Sequence, residues 1–233
     1  SSSIKSDLIR EAMNIGFDRK KMILYLRNNI GFPALQGFIP KGLSGHKTLK
    51  SIKYEPERAK RLVKKFVKNN KILPKISLAT DAGYVDLCEF FQREMEKIGI
   101  EIKIEIMPTA TLKQAKSNGK VESFRASWIA DYPDAENYLS LFSSTNHSPF
   151  GPNYTHFKNQ LFDSLYDKSF ETINLKNRNK IYEKMNSIIM ENLPVIPLYY
   201  DQTTRFVRKN VKNFPINPIN LIKLKKVYKD KIE

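Results

Sequence analysis

Residues 76–106 read ISLATDAGYVDLCEFFQREMEKIGIEIKIEI. Ile76 to Thr80 is a short apolar run and reads as a strand. Over residues 84–98, Val85, Cys88, Phe91 and Met95 recur at helical spacing. Gly99 follows, at the position where a glycine closes a helix by taking a left-handed backbone. Ile100 to Ile106 alternates isoleucine with Glu or Lys, so its four isoleucines share one face of a second strand. Strand, helix and strand in this order form a βαβ unit, which implies parallel strands joined by a right-handed crossover.

The rest of the chain continues the alternation. Upstream, Leu8, Ile9, Ala12 and Ile15 give a helix over 6–15, and Asp18 is placed to cap a second over 19–29. Residues 30–53 carry Gly and Pro every few positions and read as a loop. Pro56 suits the first turn of a helix that runs to about Asn69. Downstream, the pattern predicts a helix over 109–118 closed by Gly119, a strand over Glu122–Ile129 and a helix over Ala135–Phe142. A polar loop occupies 143–159. Helices follow at Leu161–Phe170 and Leu175–Glu191; the latter is capped by Asn174, turns Ile181, Met185, Ile188 and Ile189 inward, and ends at Pro194. Val195–Asp201 and Thr204–Val207 read as strands. The expected fold class is α/β, a mixed sheet flanked by helices over residues 1–208, with an extended tail over 209–233 that lacks a core signal.

Chemistry concentrates in SFRASWIADYPDAENYLSLF, residues 123–142. Arg125, the single tryptophan Trp128, Asp131 and Asp134 fall within ten residues at the expected end of a buried strand. Ligands of open α/β sheets bind outside the carboxyl ends of strands. A carboxylate there suits a cationic ligand group, and a Trp beside it gives an apolar wall or a cation–π face. Each residue also has a plain structural reading. Asp131 or Asp134 can cap the helix that starts near Ala135, with Asp134 better placed. Trp128 can be ordinary core. Strict alternation sets Arg125 on the face opposite Trp128.

Composition narrows the field. No run approaches the ~18 apolar residues of a membrane span. Net charge is +16, from 40 Lys plus Arg against 24 Asp plus Glu. The lysines are scattered over Lys64, Lys65, Lys68 and Lys71, then Lys223, Lys225, Lys226 and Lys229. No nucleic-acid-binding motif accompanies them, so the charge reads as a lysine-rich background with a more acidic half missing. Cys88 is the only cysteine, which excludes an internal disulfide and places it as core filler. His46, His147 and His156 lack metal-ligand spacing, and neither a metal nor a cofactor is expected.

Six segments, in order, carry a family resemblance. Residues 10–19 (REAMNIGFDR), 31–43 (GFPALQGFIPKGL), 54–60 (YEPERAK), 128–134 (WIADYPD), Asn153-Tyr154 through Phe162-Asp163, and 193–200 (LPVIPLYY) resemble motifs of the family 5 extracellular solute-binding proteins. These are the peptide-, dipeptide- and nickel-binding components of ABC importers. The resemblance implies a periplasmic-binding-protein type II-like C-terminal lobe. Its tail would return to a missing N-terminal lobe. Family members run to roughly twice this length, so the chain reads as an excised lobe and Ser1-Ser2-Ser3 as vector-derived. In such a protein Asp131 would take a peptide's α-amino group, Trp128 would wall a side-chain pocket and Arg125 would meet the C-terminal carboxylate. Asn153 and Tyr154 would lie on a loop near the cleft. The implied partners are a peptide ligand and ABC permease subunits, in the periplasm or at the outer face of the cell membrane, where a lipid anchor on a missing N-terminus is one way to hold it. Nucleic acid is not expected.

Three functions compete at this stage. The resemblance favours peptide binding without catalysis, with nickel chelates or oligosaccharides as other solutes. A hydrolase using Asp131 and Asp134 as a carboxylate pair is disfavoured, because both lie in one turn. A basic nucleic-acid or regulatory module lacks any DNA-binding element to support it.

Overall fold

The computed structural model describes residues 2–46, 51–216 and 222–230. Helix α1 (Asp7–Ile15) buries Ile9, Ala12, Met13 and Ile15. Asp18 caps α2 (Arg19–Arg27) by accepting the Lys21 amide at 3.0 Å. A two-residue strand β1 (Phe32–Pro33) follows. Helix α3 (Pro56–Asn70) has its proline in the first turn, where a missing N–H is harmless, and buries Ala59, Val63 and Phe66.

Strands β2 (Lys75–Thr80) and β3 (Glu101–Ile106) flank α4 (Val85–Glu96). They pair in parallel from Lys75↔Glu101 to Thr80↔Ile106, as the βαβ pattern requires. Gly99 adopts φ 88° after the helix. The isoleucine face is buried only at its start. Ile100 and Ile102 are covered, whereas Ile106 is 60% exposed at the last pair of the ladder. Cys88 is buried in this layer.

Helix α5 (Thr109–Ser117) leads to β4 (Ser123–Phe124), which pairs in parallel with the other edge of β2. The sheet order is β3-β2-β4. The strand expected over Glu122–Ile129 is therefore far shorter, and the cause lies in its neighbour. β2 ends at Thr80, and the Asp81 side chain accepts the Gly83 amide at 2.9 Å, turning the chain away. Beyond Arg125, whose amide still reaches the Ala79 carbonyl at 3.0 Å, no partner edge remains.

A second cluster forms around α6 (Glu136–Leu139), α7 (Gln160–Glu171) and α8 (Leu175–Asn192). Leu139, Phe142, Phe162, Met185 and Ile189 are fully enclosed, and the Phe142 and Phe162 rings meet edge-on at 6.4 Å. Asn174 caps α8 through the Asn177 amide at 3.1 Å.

The late segment returns to the first core. Ile196, Leu198 and Tyr199 pack on the α1–α4 cluster, and β5 (Tyr199–Tyr200) pairs antiparallel with β1. Only these two residues of the strand expected over Val195–Asp201 are regular, because Pro194 and Pro197 have no N–H to donate. No strand forms over Thr204–Val207, where Phe206 is fully exposed and β1 is too short to pair further. In the tail, β6 (Val211–Lys212) pairs antiparallel with β7 (Tyr228–Lys229). Parallel and antiparallel pairings both occur, but in separate sheets.

Arg19 fastens the corner between α1 and α2. It is buried and donates to the carbonyls of Asn14 (2.8 Å), Phe17 (3.5 Å) and Pro197 (2.8 Å). Burial lowers its pKa to about 10, partly offset by Tyr200.

Buried phenols make the fold alkali-sensitive. Tyr200 donates to the Gly37 carbonyl at 2.6 Å, and burial pushes its pKa up to about 12. Burial raises Tyr166 and Tyr182 as well, helped by Glu136 and Asp134 respectively. A phenol whose folded pKa exceeds the ordinary value of about 10 contributes stability that is complete below that pH. That stability is lost as pH rises through the folded value. We expect Tm to fall between about pH 10 and 12. Tyr166→Phe and Tyr182→Phe should flatten the fall when melting is followed by circular dichroism; an unchanged slope would remove these phenols as its cause.

Candidate functional site at the carboxyl ends of the sheet

The carboxyl ends of β2 and β4 bring two groups of side chains to the same end of the sheet. The first centres on Arg125. As the chain leaves β4, the Arg125 guanidinium stacks on the Tyr84 ring, 3.1 Å from its centroid, and lies 3.4 Å from Ser127 Oγ. Lys116, on the last turn of α5, sets its ammonium 5.4 Å from the Phe124 ring and 5.5 Å from the Tyr154 ring. Burial lowers the Lys116 pKa, and the nearby Arg125 charge lowers it further, while Asp81 opposes both. Two cations thus share a partly desolvated patch framed by aromatic faces. An incoming carboxylate would relieve their repulsion.

The second group centres on Asn137, the buried second residue of α6. Its Oδ1 accepts the Trp128 indole N–H at 2.8 Å and the Asp131 amide at 3.2 Å. Its Nδ2 lies 3.5 Å from Asp131 Oδ2. Trp128 is half-buried and Asp131 exposed. One amide therefore fixes both the tryptophan ring and the backbone that presents the Asp131 carboxylate to solvent.

The remaining expected residues separate by role. Asp134 accepts the Glu136 amide at 2.9 Å and pairs with Arg178 at 3.4 Å, so its carboxylate serves the start of α6. Asn153, expected either near the cleft or in a purely structural role, serves its own loop. It is 0% exposed, and its amide is saturated by Ser143, Phe157 and Thr155, because the polar loop needs internal donors to close. Its neighbour Tyr154 does reach the cationic patch, carried there where Gly119 abuts the His156 ring. His147 and His156, read as unconnected in the sequence, lie 5.4 Å apart, but their ring nitrogens are within hydrogen-bond distance of the Phe157 and Ser148 carbonyls. Among the described residues no group of three metal-ligating side chains forms.

Residues 4–150 match the family model described as bacterial extracellular solute-binding proteins, family 5 Middle. The chain belongs to that family. Within family 5, the murein peptide-binding protein MppA of Escherichia coli K12 is 27% identical over 122 residues, covering 52% of this chain and 22% of that protein. The dipeptide-binding protein DppE of Bacillus subtilis 168 is 23% identical over 233 residues, covering 95% of this chain and 42% of its own. The fold matches that of Helicobacter pylori DppA in complex with the peptide STSA, with TM-score 0.80 at 23% identity. That match covers 99% of this chain and 46% of DppA. The chain spans less than half the length of these family 5 proteins. Its fold is that of one part of a type II periplasmic binding protein, as the resemblance implies.

Three residues of the site were not singled out in the sequence. Lys116 is one basic residue among 40, and only the α5–β4 turn brings it to Arg125. Tyr84 precedes α4 and is marked by nothing but its place after β2. For Asn137, an Asn early in a helix of otherwise apolar rhythm was the available signal.

Proposed function

We propose that this chain supplies one wall of a peptide-binding cleft in the solute-binding component of an ABC importer, outside the cytoplasm and without catalysis. The observation that carries the reading is the exposed Asp131 carboxylate on a backbone fixed by Asn137, at the same sheet end as the Arg125–Lys116 pair. A peptide zwitterion has complementary ends: an ammonium for Asp131 and a carboxylate for the two cations. Trp128, Tyr84 and Tyr154 offer flat apolar surfaces for side chains, with water filling unused space. The second wall comes from the rest of a protein of the relatives' length, with closure as a hinge motion. ABC permease subunits are the proposed docking partners.

Calorimetric titration of a di- to pentapeptide mixture tests this, first with the 233-residue chain and then with the chain extended to the relatives' length. The extended protein should bind and the chain alone should bind at least about tenfold more weakly, because half of the contacts are missing. If neither binds, the peptide reading falls, and nickel chelates and oligosaccharides are the next solutes to titrate. Equal micromolar binding by both would show that the site needs no second wall.

A further inference from the structure

We infer that the outer face of α3 and the turn after it form a docking surface for an anionic phospholipid bilayer. Helix α3 turns Ala59, Val63 and Phe66 to the core. Its opposite face presents Arg61, Lys64, Lys65 and Lys68, all exposed, at spacings that keep them on one side of the helix. Lys71 continues the basic surface just past the helix end. Acidic side chains near this face are few and paired. Glu57, the only carboxylate within α3, lies beside Arg61 and Lys64 and pairs with Lys60 at 2.7 Å, and Glu101 pairs with Lys75 at 2.6 Å.

The turn adds what a solvated charge run lacks. Ile72 is 45% exposed and Leu73 is 77% exposed, side by side at the tip between α3 and β2. Lys71 in a left-handed conformation and the buried Pro74 bracket them, so the fold itself holds this apolar pair outward. An apolar tip ringed by lysines suits the interface of an anionic membrane: the lysines meet lipid phosphates and the tip enters the acyl boundary. Nucleic acid would satisfy the lysines but leave Leu73 in water, which is why the bilayer is the better fit. The surface lies at the amino end of β2, whereas Asp81 and Arg125 mark the carboxyl ends, so lipid contact and the proposed ligand site occupy opposite ends of the sheet.

The test is co-sedimentation of the full chain with phosphatidylcholine vesicles and with phosphatidylcholine–phosphatidylglycerol vesicles. Binding is expected to the mixed vesicles only, with release by salt. Each lysine near an anionic surface contributes roughly fivefold in affinity. The triple variant K64E/K65E/K68E should therefore lose at least about tenfold. The charge-matched variant K176E/K180E/K184E, on exposed positions of α8, should lose less than about threefold. Leu73→Ser, which leaves charge unchanged, should also weaken binding. All these side chains are exposed, and unchanged circular dichroism would confirm that the variants fold. Equal losses from the two triple variants would mean diffuse attraction to a cationic protein and overturn the inference. So would full retention by Leu73→Ser, or tighter binding to a DNA duplex than to the mixed vesicles.

Discussion

Replacing Asp131 with asparagine is expected to weaken binding of free-amine peptides at least about tenfold, close to 1.4 kcal/mol, in the protein extended to the relatives' length. The side chain keeps its shape and loses only its charge. Because Asp131 is exposed and its backbone amide remains bound to Asn137 Oδ1, the fold should be unaffected. Closure of a second wall would desolvate an ammonium–carboxylate pair, and removing one partner of a buried pair costs roughly 3–5 kcal/mol, so tenfold is a lower bound. The control is chemical. N-acetylated peptides have no ammonium to lose, and they should bind the parent and the Asp131→Asn variant alike. Unchanged affinity for free-amine peptides would remove Asp131 from the site, and an equal loss for acetylated peptides would assign it a structural part instead.

The largest effect on stability is expected at Arg19. Arg19→Met preserves apolar bulk but strands the carbonyls of Asn14, Phe17 and Pro197. A buried acceptor without a donor costs about 1–3 kcal/mol, and the three acceptors together should lower unfolding free energy by about 3 kcal/mol. Arg19→Lys should recover only part of this, since an ammonium cannot reproduce the planar fork of a guanidinium. Urea denaturation reads the change as a shift in midpoint at constant slope. The competing term is visible in the lowered pKa: burying a cation with no carboxylate among its hydrogen-bond partners is itself costly. A neutral or stabilising Arg19→Met would show that this cost outweighs the hydrogen bonds to the three carbonyls and to Asn14 Oδ1.

The core of the fold was legible where local chemistry and tertiary need coincide. Alternating isoleucines, Gly99, Asp18 and Asn174 each act within a few residues, and each does in the structure what its sequence context implies. The length of β4 was not legible, because a strand lasts only as long as its partner edge. That edge ends where the Asp81 side chain turns β2 aside, more than forty residues earlier in the chain. The strands expected after Pro194 are cut to the two residues of β5 for a related reason: besides the prolines, their neighbour β1 offers only two residues. The candidate site divides along the same line. Trp128 and Asp131 stood out because they lie together in sequence. Lys116 and Tyr84 join Arg125 only through the parallel arrangement of β2 and β4. The structural part of Asn153 could not be told from a site role in the sequence, because its partners appear only when its own loop closes around it.

The Arg19–Pro197 bond also sets an order of events. One acceptor for the guanidinium between α1 and α2 is made 178 residues after it. The same late segment covers the first core with Ile196, Leu198 and Tyr199 and gives β1 its partner. Until those residues leave the ribosome, α1 and α2 have an open flank and a cation short of one acceptor. Completion of the α1–α4 core is therefore tied to synthesis of the segment after α8, and a chain cut before residue 197 would hold α1–α8 without the segment that seals them.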